Sequence, residues 1–421
     1  MTSLDEIARS LQGYDPQALK MDDANAFIAR LVAPVRETEQ LPLRQCQGRV
    51  LSQDVVSGMA VPAHDNSAMD GFAFDGAALH REQPLTLRSV GTALAGKAWS
   101  GTLQAGECLK VMTGAILPPG LDTVVPHELV SSEGDVVHIP SGLLKAGDNR
   151  RLRGEDLPLG GVALARDQLL SPAAIGLAAS LGLQVLPVYR RLRVAYMSTG
   201  DEVLSPGEAP REGAVYDSNR YTVTSLLDRL GCEVIECGVV HDDPTLLEAA
   251  FRSAAAKADV VISSGGVSVG EADFTKAMMR KLGDVVFWRI AMRPGRPFAV
   301  GCIDNTVLFG LPGNPVAVMV TFLALVRPAL LRMMGARDGA PPLLKAHSQE
   351  AMRKKPGRTE YQRGIVTTSP EGQLQVRTTG NQGSGVLSSM VQANGLIVLH
   401  HDQAHIAAGD LVDVLMFYGV V

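Results

Sequence analysis

The 421-residue chain is 46% hydrophobic and 20% charged, material for about two to four globular domains and too apolar for a disordered or fibrous protein. A formal charge of −5 excludes a general nucleic-acid or anionic-membrane surface, so any anion site has to be a local concentration of donors. The five cysteines, Cys46, Cys108, Cys232, Cys237 and Cys302, are odd in number and form no CxxC pair, which points to reduced, buried side chains of a cytoplasmic protein.

The first residues, MTSLDEIARS, lack the basic start and apolar core of a secretory signal and are expected to be loose. Ala24, Phe27, Ile28, Leu31 and Val32 then fall at helical spacing behind Asp22 and Asp23, which read as caps of a first amphipathic helix. From Leu51 to Pro140 short runs such as PLTLRSV, ECLKVM, DTVVPHELV and DVVHIP alternate with Gly, Pro and Asp turns, the pattern of a small β-rich domain. SPAAIGLAASLG predicts a second helix with Ser171 as N-cap, Pro172 at its first position and Gly182 as its stop.

Beyond Arg190 strands and helices take turns: RLRVAYMS, DSNRYTVTSLLDRLG, EVIECGVV, DDPTLLEAAFRSAAAKA, DVVISS, EADFTKAMMRKLG and DVVFWRI. That alternation predicts a mostly parallel sheet covered on both faces, with ligands at the carboxyl ends of its strands. The apolar run Val316 to Val326 is shorter than the roughly 20 residues that span a bilayer, and reads as a buried helix. After Gly335 the short β runs LQVRTT, GLIVL and DLVDVLMF suggest a terminal barrel or sandwich, and His400, His401 and His405 read as a solvated turn rather than a metal tract.

Three loops of the α/β part carry chemistry: STGDE, SGGVSVG and LPGNP. In DVVISSGGVSVGEADFT, residues 259 to 275, glycines let backbone N–H groups approach an oxyanion, and Glu271 or Asp273 could hold a divalent cation. The loop lacks the Gly-Lys-Ser/Thr ending of a nucleotide P-loop. Ser198, Thr199, Ser264 and Ser268 add donors, Asp201, Glu202 and Asp273 add metal-binding oxygens, and Arg293 and Arg296 in MRPGRP add fixed positive charge. Together these are the parts for a phosphorylated ligand with Mg2+, although each Asp alone would also serve as a helix cap and each Arg as a surface ion pair. In the β-rich part Asp70 sits in a polar turn of HDNSAMDGFAF, where ordering a carboxylate calls for a partner. Arg150, Arg151 and Arg153 precede Glu155 and Asp156 in RRLRGEDLPLG, which reads equally as a ligand loop or a solvated ion-pair loop.

The motifs SAMDGFAF, MTGA, RGEDL, STGDE, YDSN, SGGVSVGEAD, MRPGRP, LPGNPV, YQRG and NQGSG, in this order across the whole chain, resemble the MoeA family of molybdopterin molybdenumtransferases, related to the E domain of gephyrin. The resemblance implies an α/β multidomain protein: a mostly parallel, molybdopterin-binding α/β domain, a β-rich insert, an elongated helical connecting domain and a C-terminal β-barrel. The corresponding boundaries are 1–58 with 148–188 for the connecting domain, 59–147 for the insert, 189–336 for the α/β domain and 337–421 for the barrel. It implies insertion of molybdate into adenylylated molybdopterin with Mg2+-assisted release of AMP, by a homodimer whose site lies between the α/β domain of one subunit and the first two domains of the other. The signal-free start and the net charge point to a cytoplasmic protein without nucleic-acid or membrane partners, and transient contact with other cofactor-synthesis proteins is expected.

By the same resemblance Asp70, Asp156 and Glu202 are the catalytic acids, and Asp273, Glu202 and Asp242 the metal candidates. Substrate binding falls to Thr113, Ser198, Thr199, Gly200, Asp201, Gly265, Gly266, Ser268, Gly270, Pro312, Gly313, Asn314 and Pro315, and molybdate to Arg293, Arg296, Arg363 and Ser384. This chain departs from the family pattern where lysines are common, at Arg289, Arg293 and Arg296, which keep the charge but cannot donate a proton near neutral pH. Ala317 stands where serine is frequent, removing one candidate donor to the oxyanion, and Phe72 where tyrosine is. Within enzymes the alternative is a protein that uses only residues 190 to 335, like the single-domain relatives that adenylylate molybdopterin. A different class is a scaffold that has kept the fold, and such a scaffold would be free to lose Asp70, Asp156 or Asp273.

Overall fold

Two N-terminal helices, α1 (Leu4–Ser10) and α2 (Met21–Leu31), close one face of the largest core. The computed structural model describes residues 4–11, 13–266, 274–337 and 341–418. In α2 the buried positions Met21, Ala24, Phe27, Ile28 and Leu31 repeat at helical spacing. Among the described residues before α2, α1 is not loose, because Leu4 and Ile7 bury against the same cluster. Nor do Asp22 and Asp23 cap α2: the N-cap is Lys20, which makes no side-chain cap bond, and both acids sit in the first turn. Burial of Leu19 and Met21 draws the helix start ahead of the acids, which then meet the positive end of the helix dipole.

Phe27 fixes this N-terminal unit to the α/β body. It is 0% exposed and meets the Trp288 ring edge-on, with centroids 5.0 Å apart, while Tyr14 stacks on its other side at 5.8 Å. The Trp288 indole N–H donates to the Tyr14 hydroxyl at 2.9 Å, satisfying the polar end of each ring. Phe27→Ala is expected to cost about 3–5 kcal/mol in denaturant unfolding; a loss below about 1 kcal/mol would show that the N-terminal helices are not part of this core.

From the core the chain runs out and back along paired strands. Thr38–Pro42 pairs antiparallel with Val185–Tyr189, Val55–Val56 with Val162–Leu164, and Asn66–Ser67 with Arg150–Arg151. Between them lies a six-stranded sheet in the order Thr123–Pro126, Gly71–Phe74, Glu107–Val111, Leu85–Ala93, Val136–Ile139, Ser131–Glu133. Alternation along Gly71–Phe74 sends Phe72 and Phe74 to one apolar cluster and Ala73 to the other. On the return, α3 (Pro172–Ser180) begins as its sequence predicts, with Ser171 accepting from the Ala174 N–H and Pro172 in the first turn.

The α/β sheet has six strands in the order Glu233–Val240, Arg193–Thr199, Val260–Ser264, Thr306–Leu311, Pro297–Ile303, Asp284–Arg289. Five strands run in the same direction and only Pro297–Ile303 runs against them, pairing antiparallel with both of its neighbours, which matches the expected mostly parallel sheet. Val194 and Tyr196 face the cluster that holds α4 (Ser218–Leu230), whereas Ala195 and Met197 face α5 (Pro244–Ala255) and α6 (Phe274–Leu282). The apolar run forms α7 (Pro315–Thr321), a π turn at Phe322–Val326 and α8 (Arg327–Met333). Pro328 offers no N–H to the preceding turn, and the helix takes the wider π spacing there. Pro315–Met333 is long and apolar enough to cross a membrane, yet 83% of its most apolar window is buried inside the protein, so it serves as a core helix.

The C-terminal part closes on itself. Thr359–Thr368 pairs with Leu374–Thr378 on one side and Gly395–Leu399 on the other, and Leu344–Ser348 and Leu411–Met416 complete the ring. This five-stranded barrel resolves the choice between barrel and sandwich. Its last helix, α9 (Ser388–Gln392), follows the NQGSG loop.

Candidate active site

Strand pairing sets Ser198 opposite Ser264 and Ser264 opposite Leu311. STGDE, SGGVSVG and LPGNP therefore leave one edge of the sheet side by side, at the carboxyl ends of parallel strands. Glycine is required where the first two loops touch: Gly265 has φ +93°, and a Cβ on it would lie 2.4 Å from the Thr199 carbonyl oxygen. Ser268, Gly270 and Asp273 lie outside the described residues.

Side chains tie the loops to one another. Asp201 Oδ1 accepts from the Asp242 backbone N–H at 3.2 Å and lies 3.1 Å from His241 Nδ1, while Arg211 donates to the Asp201 carbonyl. The Glu202 carboxylate folds over Gly200, where a Cβ would stand 2.5 Å from Oε2. Asn219 Nδ2 donates to the Gly313 carbonyl at 2.8 Å, and Asn314 Nδ2 to Ser384 Oγ at 3.1 Å. Pro315 opens α7, and the Val316 N–H donates to the Ser384 carbonyl at 3.1 Å, so LPGNP is held between the α/β body and the barrel. Asp201, Glu202, Gly313 and Asn314 are exposed at this edge; Pro312 is buried beneath it.

The expected donors Ser198 and Thr199 are each 2% exposed. Alternation puts Ser198 on the same face as Tyr196, so its hydroxyl turns under the edge onto the Tyr196 hydroxyl at 3.2 Å instead of toward a ligand. Thr199 Oγ1 donates to the Ser264 carbonyl at 3.4 Å, and the Gly200 and Gly265 N–H groups are taken by the Val240 and Leu311 carbonyls at 3.3 and 3.2 Å, which leaves the Gly266 backbone as the open part of these strand ends. YDSN had no role assigned from sequence beyond the family likeness. Asp217 caps α4, accepting from the Arg220 N–H at 3.0 Å, and Asn219 reaches LPGNP; an Asp-Ser-Asn ahead of a periodic apolar run was the available signal.

The four molybdate candidates separate. Met292–Arg293 joins the barrel beside Thr359 and Glu360, so Arg293 and Arg363 line one cavity of about 240 Å3 with Glu350, Arg353, Glu360 and Gln382. Arg296 lines another of about 330 Å3 with Lys355 and Arg358. Arg363 is 1% exposed and already engaged, donating to Ser389 Oγ at 3.0 Å and to the Gly383 and Asn381 carbonyls at 3.0 and 3.3 Å. Burial first, and then the Arg293 charge, pull its pKa down to about 10, so the guanidinium stays charged at neutral pH in surroundings that would favour an anion. Ala317 is 3% exposed within the main apolar cluster's helix, and Gly295 packs on its turn, where a Cβ would meet Thr321 at 2.4 Å.

In the β-rich part Asp70 has the partner its turn calls for. Its Oδ1 accepts from the Thr113 N–H at 2.6 Å and from Thr113 Oγ1 at 2.7 Å. These bonds, the backbone one foremost, hold the carboxyl below the usual range. The RGEDL loop lies beside the same segment: Ala68 N–H donates to the Asn149 carbonyl at 2.9 Å, Arg153 N–H to Asp65 Oδ1 at 2.8 Å, and Asp156 N–H to the Val61 carbonyl at 3.1 Å. The side chains of Asp70 and Asp156 remain exposed. Sequence reading missed Asp65, which anchors RGEDL; two acids five residues apart in one turn were the cue.

Three family descriptions match the chain in order: the MoeA N-terminal region (domain I and II) over residues 19–182, a probable molybdopterin binding domain over 195–332, and the MoeA C-terminal region (domain IV) over 345–417. A protein of Haemophilus influenzae named molybdopterin molybdenumtransferase is 40% identical over 400 residues, covering 95% of this chain and 98% of that one. One of the same name from Nostoc sp. is 35% identical over 418 residues, covering 97% and 95%. Among solved structures, the molybdopterin biosynthesis moeA protein from Pyrococcus horikoshii OT3 superposes with TM-score 0.81 at 26% identity, over 95% of this chain and all of that one.

Proposed function

This chain belongs to the MoeA family, an enzyme family whose curated members are named molybdopterin molybdenumtransferase, and from that premise we propose that it inserts molybdate into adenylylated molybdopterin with Mg2+-dependent release of AMP. The observation that carries this reading is the junction at LPGNP. Asn219 and Ser384 grip that loop from two sides, setting the glycine edge next to the barrel face that holds Arg293 and Arg363. A ligand with a pyrophosphate and a doubly charged oxyanion needs both surfaces within reach of each other.

The metal fits this chain as a shared ligand. Among the described residues no group of three or more His, Cys, Asp or Glu converges as a cage. Magnesium instead takes one or two carboxylates with phosphate oxygens, and Glu202 over Gly200 and the acid of Asp242 are the described side chains at the edge that would hold it, with Asp273 the third candidate. When bound, it would neutralise phosphate charge and favour departure of AMP. The protein's own part is positioning: the Gly265 N–H is bonded to the Leu311 carbonyl, so the Gly266 backbone N–H is the one that faces the phosphates, Arg293 faces the oxyanion, and Asp70 offers a fixed negative oxygen.

The same reading takes the protein as a homodimer in the cytoplasm. Met59, Met69, Leu152 and Leu159 are 40–62% exposed around the Asp70 and Asp156 segment, an apolar surface suited to a second subunit's α/β edge. The test is to mix purified protein with adenylylated molybdopterin and molybdate and measure AMP by chromatography. AMP release that needs Mg2+ and rises with molybdate is expected. No release in any combination would leave a binding scaffold as the better account.

A further inference from the structure

Tyr196 is 0% exposed in the largest apolar cluster, where phenylalanine would fill the same space. A buried hydroxyl is costly unless hydrogen-bonded, so its presence asks for partners. They are 2.6 Å away at Ser264 Oγ and 3.2 Å away at Ser198 Oγ, with the two serine oxygens 3.5 Å apart. Three hydroxyls thus close a triangle beneath the sheet edge, each able to donate to one neighbour and accept from another. Burial, the larger effect, keeps the phenol protonated well above its ordinary range, against the opposing pull of the serine bonds.

The triangle spans two adjacent strands at the last inward positions before their loops. One residue beyond Ser198 and Ser264 the backbones touch, since Thr199 Oγ1 reaches the Ser264 carbonyl and Gly265 has no room for a Cβ beside the Thr199 oxygen. The strand ends are pinned from below by side chains and from above by backbone. The Gly200 and Gly265 N–H groups donate to the Val240 and Leu311 carbonyls at 3.3 and 3.2 Å, so these two glycines belong to the frame and not to the ligand surface. We propose that Tyr196 is a positioning residue: its hydroxyl locks the starts of the two loops, Thr199–Glu202 and Gly265–Gly266, in mutual register, so that the backbone just beyond Gly200 and Gly265 meets the pyrophosphate of one substrate as a unit. The proposal deepens the transferase reading and rests on it for the substrate, while the coupling of the loops stands on geometry alone.

Tyr196→Phe keeps the ring and its packing. In the ligand-free full-length protein, hydrogen exchange at residues 199–204 and 265–266 is expected to rise about tenfold while the other strands stay protected. KM for adenylylated molybdopterin should rise about tenfold with kcat within about twofold, because ground-state positioning rather than chemistry is lost. A merely structural tyrosine would lower Tm and leave KM unchanged, and exchange that is unaltered, or raised evenly over the sheet, overturns the proposal. The double variant S198A/S264A should reproduce the effect and leave Tyr196→Phe nothing to add, whereas additive losses overturn it; this variant also carries the test if Tyr196→Phe does not fold. If wild type releases no AMP but exchange still rises locally, the transferase reading fails and the loop coupling remains. Local exchange without a change in KM refutes the positioning role.

Discussion

Asp70→Ala is expected to lower AMP release by about two to three orders of magnitude while leaving thermal unfolding nearly unchanged. The side chain is exposed, so its removal opens no cavity. Both of its bonds fall on Oδ1, and Oδ2 has no partner among the described residues, which leaves one oriented, negatively charged oxygen facing solvent. With its carboxyl held below the usual range by Thr113, Asp70 is ionised at neutral pH, a state that suits a base or an oxygen ligand and not a proton donor. Asp70→Asn separates charge from shape, because an amide oxygen still accepts from Thr113. A loss matching that of Asp70→Ala assigns the effect to charge; retained activity removes Asp70 from the chemistry. The pH profile gives the sign: kcat/KM should hold down to pH values below the ordinary aspartate range and fall as Asp70 protonates. Thr113→Ala removes one donor to the charged form, so the acid limb should move to higher pH. An unmoved limb would mean that another group controls it.

Much of this architecture could be read from residue patterns because one physical rule dominated each stretch. Apolar spacing at Ala24, Phe27, Ile28 and Leu31 located α2, and the Ser171-Pro172 pair located α3 to the residue. Caps were harder where two rules competed: Asp22 and Asp23 have the chemistry of N-caps, but burial of Leu19 and Met21 moved the helix start past them. α1 escaped detection because its buried anchors are only Leu4 and Ile7, too few to show a period. At the edge, the glycine at 265 was legible as a place without room for a side chain, but what approaches it is the Thr199 carbonyl of the neighbouring strand, and the Gly200 and Gly265 N–H groups are bonded to Val240 and Leu311. The inward turn of Ser198 was not legible, because a serine at a strand end reads as a ligand donor until the facing tyrosine is placed across from it. The separation of the arginines was hidden as well. The two arginines of MRPGRP look like a single basic patch in sequence, yet register with Glu360 commits Arg293 to the barrel cavity and leaves Arg296 on another.

That separation ranks the cations for the oxyanion. Arg293→Ala should raise KM for molybdate about 10–100-fold with little change in binding of the pterin nucleotide, in line with losing one charge-assisted, forked contact. Arg363 shares its cavity but is spent on Ser389 and two loop carbonyls, so removing it would uncouple the NQGSG loop and confuse folding with binding. Arg293 is exposed and has no hydrogen-bond partner among the described residues, so its fork is available to a ligand, and the nearby buried charge of Arg363 makes an anion between them more favourable. Arg296→Ala is therefore expected to weaken molybdate use less than Arg293→Ala does. Arg293→Lys should fall between wild type and alanine, keeping the charge and losing the paired geometry. Molybdate-dependence curves of AMP release at saturating pterin nucleotide measure all three. A larger effect at Arg296, or equal losses for molybdate and nucleotide at Arg293, would move the oxyanion out of the barrel cavity.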